Sequence, residues 1–316
     1  MKAITLKKNG GIENLVLADV PLPDIHENEV LVNVKAISIN PVDAFARKSE
    51  GTVQSILKPG KDEIVILGWD ISGVIIKVGK RVEEFKEGDD VFGMVNFPGQ
   101  GKAYAEYVAA PADQLALKPR NISFEAAAAA TLTALTAWQA LVTYAKVKEK
   151  DKVLIHAAAG GVGHYAVQIA KYFGAYVIGT ASAPNRNFVI ELGANEFIDY
   201  TSEKFEDKVN DADVVLDSVP GNNLLRSIDA VKKGGRVISI KGNFEGEIAD
   251  KAKKKNLYTQ RILVRSNGND MKRIAKLLEE KKIRSYISKK YDFKDLPDAH
   301  LQIETGKTRG KIVVVV

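Results

Sequence analysis

The chain has 316 residues, of which 45% are hydrophobic and 27% charged, and its 46 basic and 40 acidic side chains give a net charge of +6. This length exceeds the roughly 250 residues at which a single hydrophobic core stops growing, so two domains are expected. The cysteine count of 0 excludes disulfides, thiolate nucleophiles and cysteine-ligated zinc. The mild positive charge, without basic clusters among aromatics, predicts no nucleic-acid partner.

The first part of the chain has the pattern of β-strands. Short apolar runs rich in β-branched residues, separated by Gly and Pro, recur from AITL at residues 3–6 to AEYVAA at residues 105–110. This pattern predicts a mostly β barrel or sandwich. The period becomes helical at Ser123, which is the expected N-cap of a helix, so the domain boundary is placed there.

Two segments bear on membranes and targeting. Residues 126–145 contain no charge, but they are rich in alanine and threonine and poor in the residues that insert well, so they predict a buried helix. The N-terminal MKAITLKKNGG has charges and no apolar stretch. No signal peptide and no membrane partner are predicted, and a cytoplasmic location is expected.

The second part of the chain alternates strands and helices. The order is KVLIHAA, VGHYAVQIAKYFG, YVIGTAS, NRNFVIELG, EFIDY, DVVLDSV, NNLLRSIDAVKKG and RVISIKG, in which EFIDY and DVVLDSV are successive strands. This alternation predicts a doubly wound parallel sheet. A last helix, MKRIAKLLEEKK, and a terminal strand, KIVVVV, are expected to return the chain to the first domain.

A glycine-rich turn joins the first strand and helix of this second part. It consists of Ala157, Ala158, Ala159, Gly160, Gly161, Val162 and Gly163. Small residues at this place let a pyrophosphate approach the N–H groups of the helix N-terminus, where the helix dipole is positive. The spacing is that of the dinucleotide fingerprint with alanine in the first glycine position, and its strand–turn–helix setting predicts dinucleotide binding.

The end of the next strand indicates which dinucleotide binds. A carboxylate there would bind the ribose 2′-hydroxyl of NAD, but the chain has Thr180, Ala181 and Ser182. Ser182, Arg186 and Tyr200 instead offer hydroxyl and guanidinium donors suited to a 2′-phosphate. The prediction is NADPH, and the alternative is that Arg186 is a solvated residue at a helix start.

Further segments occur in one order along the chain, namely AISINPVD, GWDISGVI, KEGDDVFG, AYAEYV, LTAWQAL, AAAGGVGHYAVQIAK, LGANEFIDY and TRGKIV. With them, the sequence resembles the zinc-independent quinone oxidoreductase branch of the medium-chain dehydrogenase/reductases over nearly its whole length. The resemblance implies an α/β fold with a GroES-like, mostly β catalytic domain over residues 1–122, completed by 266–316, and a Rossmann domain over 123–265. It also implies NADPH, quinone or α,β-unsaturated carbonyl substrates, and a homodimer joined at a Rossmann edge strand near residues 257–264.

The resemblance implies roles for individual residues. Asn40 and Thr136 are expected beside the nicotinamide and its ribose and Tyr104 on the substrate side, and these three form the predicted catalytic set. The predicted cofactor site comprises Asn40, Thr136, Ala159, Gly160, Gly161, Val162, Gly163, Ser182, Arg186, Tyr200, Val219, Ile240 and Gly242. The alternatives are ordinary ones, since Asn40 precedes a proline as turn residues do and a helical Thr136 can bond to its own backbone.

Departures from related families bear on metal and substrate. Asn40 stands where zinc-dependent relatives have a cysteine ligand, and Gly68, Trp69 and Asp70 stand where they have Gly-His-Glu, so no metal site is predicted. Pro184 occupies a place where members of the resembled branch often carry a basic residue. Trp69, Phe97 and Tyr104 are expected to line an apolar substrate cleft, with core packing as the alternative.

A second function from another class stays open. No side chain is identified as a proton donor, and a cofactor-gated binding or sensor protein with little turnover has the same glycine turn. Tyr144 and Lys148 match the Tyr-x-x-x-Lys pair of short-chain dehydrogenases, but they precede the glycine turn, whereas that class places the pair after it. His156, at a strand end, is expected to be packed, not catalytic.

Overall fold

The structure is a computed structural model that describes residues 1–61 and 63–316. Its strands, in chain order, are β1 (Lys2–Leu6), β2 (Leu15–Asp19), β3 (Glu29–Ile39), β4 (Val65–Ile66), β5 (Asp70–Val78), β6 (Asp90–Met94), β7 (Tyr107–Pro111), β8 (Ala116–Leu117), β9 (Lys152–Ile155), β10 (Tyr176–Ala181), β11 (Glu196–Asp199), β12 (Ala212–Asp217), β13 (Val231–Ser239), β14 (Tyr258–Arg261), β15 (Ile287–Asp292) and β16 (Lys311–Val315).

The α-helices are α1 (Pro41–Lys48), α2 (Glu50–Thr52), α3 (Phe124–Ala129), α4 (Leu132–Trp138), α5 (Gly161–Tyr172), α6 (Arg186–Glu191), α7 (Asn223–Ala230), α8 (Gly246–Lys254), α9 (Gly268–Glu279) and α10 (Leu296–Glu304). Residues 126–145, predicted as one buried helix, are divided among α3, α4 and a π-helical Gln139–Tyr144. Among the described residues, none of the helices has the length and apolar character needed to cross a membrane.

The chain forms two compact units, and each is described by itself. Unit 1 comprises Met1–Leu135 and Val264–Val316, and unit 2 comprises Thr136–Leu263. The chain thus divides at residue 135, later than the boundary placed at Ser123. The reason is that α3 packs on β3, β5 and β16 of unit 1, where Ala128 and Ala129 are buried.

Unit 1 contains the β-rich part of the fold. A three-stranded sheet has the order β2-β1-β4, and a seven-stranded sheet has the order β15-β16-β3-β5-β6-β8, with β7 also paired to β3. The C-terminal strand β16 runs antiparallel to β3, from Ile312 opposite Ile39 to Val315 opposite Ala36. Because of this pairing, the last residues of the chain lie beside the Asn40 region.

Unit 2 is the doubly wound part. Its parallel sheet has the order β11-β10-β9-β12-β13-β14, so the direction of winding reverses between β9 and β12. Buried apolar side chains such as Leu154, Ile178, Val215 and Ile228 form its core. The two units together are the predicted α/β fold, with a GroES-like β domain and a Rossmann domain.

Candidate active site

The glycine turn lies between β9 and α5, and its backbone is open at the helix end. Helix α5 begins at Gly161 after the extended N-cap Gly160, which has no side chain to cover the first N–H groups. A Cβ on Gly163 would lie 2.1 Å from the carbonyl oxygen of Ala157, so this close approach requires glycine. Gly160, Gly161 and Val162 are half-buried. The turn therefore fits a pyrophosphate, which its N–H groups and the positive helix end would bind.

The first residues of the turn are tied to the neighbouring strand. Ala157 has a φ of 48°, a left-handed conformation that residues other than glycine rarely adopt. The N–H of Ala158 donates to the carbonyl of Thr180 at 2.9 Å, and the N–H of Gly160 donates to that of Ala157 at 2.9 Å. Ala159 is buried. These bonds fix the path of the turn before the helix begins.

A cleft of about 410 Å³ lies at the carboxyl ends of β9 to β12. It is lined by His156, Ala157, Thr180, Tyr200, Phe205, Val219, Pro220, Asn222, Asn223 and Arg226. Ligands of doubly wound sheets bind where the strand order reverses, and this cleft is at that place. Tyr200 and Val219 are thus brought to one cleft, as predicted cofactor residues would be.

His156 lines this cleft with both ring nitrogens hydrogen-bonded. Nδ1 lies 3.1 Å from Thr180 Oγ1, and Nε2 lies 3.1 Å from Ser227 Oγ. Because the Ser227 hydroxyl donates to Asp217 Oδ2 at 2.7 Å, its oxygen accepts from Nε2–H, which assigns the tautomer, and Thr180 donates to Nδ1. Burial lowers the pKa of His156 to about 4, so the ring is neutral at pH 7.

The three predicted 2′-phosphate residues have different surroundings. Ser182 Oγ accepts a hydrogen bond from Asn185 Nδ2 at 3.0 Å. Arg186 is exposed at the start of α6, and its guanidinium carbon lies 5.4 Å from the ring centre of Phe197. Tyr200 is 60% exposed and lines the cleft. All three follow the ends of β10 and β11, and all are accessible to a ligand there.

A carboxylate that the sequence pattern did not place also stands at this edge. Asp199 is in register with Ala181 on the neighbouring strand. Its Oδ1 accepts from the Thr201 hydroxyl at 2.7 Å and from the Thr201 N–H at 3.0 Å. These hydrogen bonds lower the pKa of Asp199. The end of β10 itself carries no acid, and Asp199 reaches this edge from the neighbouring strand with its carboxylate already engaged by Thr201.

The later predicted cofactor residues follow the next strands. Val219 N–H donates to Asp217 Oδ1 at 2.9 Å, and Ile240 N–H donates to the Asp217 carbonyl at 3.0 Å. Gly242 N–H donates to Ser239 Oγ at 2.9 Å. These bonds hold the turns after β12 and β13. Thr136 lies in α4, in unit 2, and is 5% exposed.

In unit 1, Asn40 is a buried N-cap of α1. Its Nδ2 donates to Asp70 Oδ2 at 2.7 Å and to the Ser38 carbonyl at 3.4 Å, and its Oδ1 accepts from Lys311 Nζ. Lys311 lies 3.9 Å from Asp70. Burial raises the pKa of Asp70 and lowers that of Lys311, and the charge of each opposes the shift of the other. These bonds fix the orientation of the Asn40 amide, which is fully buried.

Tyr104 belongs to the same buried region. Its hydroxyl lies 2.9 Å from His300 Nε2, and Arg47 Nε donates to His300 Nδ1 at 3.4 Å. Asp43 accepts from the Asn40 N–H at 2.6 Å through Oδ2, and its buried Oδ1 has no hydrogen-bond partner among the described residues. Burial raises the pKa of Asp43 to about 8. Tyr104 is fully buried, which places it in a core, not on a surface.

The expected apolar substrate cleft is only partly present. Trp69 is fully buried and packs edge-to-face on Phe97 with ring centres 5.0 Å apart, so Trp69 and Tyr104 pack in the core of unit 1. Phe97 does line a cavity of about 570 Å³, which is otherwise mainly polar and includes Gln114 and Arg265. The structure therefore places Phe97 at a cavity and Trp69 and Tyr104 in the core, which was the alternative for these residues.

The positions compared with zinc ligands have other partners. Asn40 and Asp70 bond to each other, and Trp69 Nε1 donates to the Gly99 carbonyl at 2.8 Å. Within residues 1–61 and 63–316, no group of three or more histidine, aspartate or glutamate side chains is arranged to hold a metal ion.

Sequence reasoning missed several polar residues of both units. Arg226, which lines the cleft, forms a two-bond fork with Glu206 at 2.6 and 2.7 Å, and nothing in the sequence links the two. Lys311 was read only as part of a terminal strand, because 271 positions separate it from Asn40. His156 is packed, as expected, but it also lines the cleft and bonds through both ring nitrogens. Its position directly before the glycine turn was the sequence signal for this role.

Comparisons with known proteins agree on one family. Residues 26–120 match the family model of the alcohol dehydrogenase GroES-like domain, and residues 192–314 match that of zinc-binding dehydrogenases. The chain is 35% identical to 2-methylene-furan-3-one reductase of Solanum lycopersicum and 33% identical to the chloroplastic NADPH-dependent alkenal/one oxidoreductase of Arabidopsis thaliana, in each case over 99% of this chain and 79% of the relative. The solved quinone oxidoreductase of Coxiella burnetii superimposes with a TM-score of 0.92 at 38% identity, covering 100% of this chain and 99% of that one.

Proposed function

The chain belongs to the medium-chain dehydrogenase/reductase superfamily, in its zinc-independent quinone oxidoreductase branch, and from this premise we propose that it is an NADPH-dependent oxidoreductase. Its substrates are quinones or α,β-unsaturated carbonyls, and it reduces them by hydride transfer. The named activities of the alkenal/one and quinone oxidoreductase relatives support this proposal.

The observation that carries the proposal is the close approach of Gly163 to the Ala157 carbonyl beside the cleft at the sheet's reversal point. A helix N-terminus opened by small residues binds phosphate, and the cleft has room for an adenosine. When bound, NADPH supplies the hydride carried at C4 of its nicotinamide. Gly161 and Val162 would hold the pyrophosphate through their N–H groups, and Gly160, whose N–H donates to the Ala157 carbonyl, would shape the turn beneath it.

Substrate class follows from the charge that a reduced substrate develops. A quinone or enone that accepts a hydride leaves a delocalised phenolate or enolate, for which a few hydrogen bonds suffice. A simple aldehyde leaves an alkoxide, which requires a Lewis acid or a positioned proton donor. The ligand places of the zinc-dependent relatives hold Asn40, Trp69 and Asp70, whose polar groups bond within unit 1. This chemistry favours conjugated acceptors.

Asn40 and Thr136 keep the roles predicted for them, and the role of Tyr104 changes. Asn40 is the proposed partner of the nicotinamide ribose, and Asp70 and Lys311 fix the orientation of its amide. The hydroxyl of Thr136 is the second proposed partner of the nicotinamide and its ribose. Tyr104 is fully buried against His300, so its proposed role is to support the substrate side from within the core.

Selectivity for NADPH over NADH is the first test. We expect wild-type protein to bind NADPH more tightly, and Arg186→Ala to weaken NADPH binding about tenfold while leaving NADH unchanged, because a charge-assisted bond to phosphate is worth about 1.5 to 3 kcal/mol. Titration of both cofactors by fluorescence measures this. Equal wild-type affinities would contradict the phosphate site, since only the 2′-phosphate distinguishes the two cofactors.

A homodimer is proposed through β14, which is the edge strand of the unit 2 sheet. Tyr258 in this strand is 45% exposed and Leu263, just after it, is 51% exposed. The open backbone groups of an edge strand favour pairing with a second copy. Sedimentation at micromolar concentration should give a dimer. The cytoplasmic location stays a prediction, since the Arabidopsis relative is named as chloroplastic.

A further inference from the structure

His156 is held in place by four hydrogen bonds that involve different elements of unit 2. Its N–H donates to the Leu216 carbonyl at 3.1 Å, and its carbonyl accepts from Ser218 Oγ at 3.0 Å. Its ring joins Thr180 on β10 to Ser227 on α7. A residue that only filled space at this place would need none of the ring bonds.

The residue that follows His156 has a strained backbone. Ala157, with its φ of 48°, begins the glycine turn, and its carbonyl oxygen is the atom that approaches Gly163. A left-handed alanine persists only where its surroundings over-determine it. The four bonds of His156 supply that constraint on one side of Ala157, and the bond from Ala158 to Thr180 supplies it on the other.

The same hydrogen-bond chain reaches the opposite wall of the cleft. Ser227 donates to Asp217 Oδ2, which also accepts from Asn223 Nδ2 at 3.0 Å. The other oxygen of Asp217 accepts from the Val219 N–H at 2.9 Å. Ala157, Asn223 and Val219 all line the cleft, so one neutral imidazole connects the glycine turn to the turn after β12.

We propose that His156 is a positioning residue for the cofactor, which sets the distance and orientation of the two cleft walls and thereby the affinity for NADPH. The inference rests on the proposed function, because it requires the dinucleotide to bind at this turn. His156 takes no part in hydride transfer. Its loss should therefore raise the Kd and the KM for NADPH more than it lowers kcat.

The test compares variants that remove different hydrogen bonds of the network around His156. His156→Leu removes both ring bonds, and His156→Gln keeps one donor and one acceptor. Ser227→Ala removes only the acceptor for Nε2–H, and Ser227 is fully buried, so it acts on the cofactor only through its neighbours. Because a lost hydrogen bond typically changes an equilibrium about fivefold to tenfold, we expect Ser227→Ala to raise the Kd for NADPH by about that factor. His156→Leu should exceed this, and His156→Gln should recover part of the affinity.

The matched control is Thr5→Val in β1 of unit 1, which also removes a buried hydroxyl bond, the one from Thr5 Oγ1 to the Val16 carbonyl at 3.2 Å. It should lower Tm but leave NADPH binding as in the wild type. Ser227→Ala keeps the inference testable if His156→Leu does not fold. Variants that are less stable yet bind NADPH within about twofold of the wild type would overturn the positioning role. A wild-type protein that binds no NADPH would overturn the proposed function, and this inference with it.

Discussion

The buried polar groups around Asn40 in unit 1 and around His156 in unit 2 are arranged differently. In unit 1, Asn40 is bonded to ionisable groups of both signs, namely Lys311, Asp70 and Asp43. All three are at or below 2% exposure. Unit 2 places the neutral ring of His156 between two hydroxyl groups. In unit 1 side-chain charges fix one amide, whereas in unit 2 a neutral ring fixes the backbone of a turn.

This difference determines how each region responds to change. A buried charge whose partner is removed loses its compensation while it stays out of water, so the unit 1 cluster is sensitive to substitution and to pH. The unit 2 turn depends on close backbone approach, so it is sensitive to added volume. Of these two sites, the Asn40 cluster should therefore respond mainly to charge removal, and the glycine turn mainly to added methyl groups.

The largest effect is expected for Lys311→Met. Asp70 would remain buried and lose the neighbouring charge of Lys311, while keeping the hydrogen bonds from the Asn40 amide and the Leu132 N–H, so the free energy of unfolding should fall by about 3 kcal/mol or more. Urea denaturation measures the loss. The matched control is Lys290→Met, since Lys290 is 54% exposed and pairs with Glu125 at 2.6 Å, and a surface pair of this kind is worth less than about 1 kcal/mol. Equal losses in the two variants would refute the charged-cluster account.

A smaller effect is expected for Gly163→Ala in the unit 2 turn. The new Cβ would meet the Ala157 carbonyl at 2.1 Å, so backbone must shift, at a cost of about 1 to 3 kcal/mol. Affinity for NADPH should fall together with Tm. In Gly51→Ala, the control, the nearest atom to the new Cβ is Ser49 Oγ at 3.7 Å, and a change within about 0.5 kcal/mol is expected. Unchanged NADPH affinity in Gly163→Ala would show that the turn does not bind the cofactor.

The last effect is a change with pH, and it concerns Asp43 in unit 1. Asp43 has a pKa raised to about 8, whereas an unfolded aspartate titrates near ~3.9. The unfolded chain therefore loses this proton first, and the contribution of Asp43 to stability falls as pH rises from about 4 to about 8. Asp43→Asn keeps an oxygen for the Asn40 N–H and removes the titration, so it should become more stable than the wild type by more than about 1 kcal/mol at pH 8.

The measurement is the free energy of unfolding of the wild type and Asp43→Asn between pH 5 and pH 8. Asp19→Asn is the control, because hydrogen bonding and pairing with Lys2 lower the pKa of the surface residue Asp19 and keep it ionised throughout. A constant difference between Asp43→Asn and the wild type would show that Asp43 is ionised in the folded protein.

Elements set by local periodicity could be predicted from the sequence. Ser123 caps α3 as expected, since its Oγ accepts from the Ala126 N–H at 3.2 Å, and the glycine turn lies between a strand and a helix as the small residues indicated. Helix α7 ends at Ala230, because Val231 already belongs to β13, so the predicted helix was too long there. The spacing of apolar residues did not show where the helix ends and the strand begins.

The polar clusters could not be predicted, because they depend on contacts between distant parts of the chain. Lys311 meets Asn40 only after β16 pairs with β3, and His300 meets Tyr104 across 196 positions. Trp69 and Tyr104 are aromatic residues of the kind that lines a substrate cleft, but both are buried in a core. The sequence alone does not distinguish a cleft residue from a core residue. Asp199 lies beside the residues predicted to bind the 2′-phosphate because β11 pairs with β10, and the sequence of one strand does not contain this pairing.

The most direct test of the proposed activity compares a 2-alkenal with its saturated aldehyde, each with NADPH and the purified protein. We expect oxidation of NADPH with the alkenal, with the saturated aldehyde as product, because hydride addition to the conjugated carbon leaves a delocalised enolate. Little turnover is expected with the saturated aldehyde itself. Reduction of the saturated aldehyde to its alcohol at the same rate would contradict the proposed function.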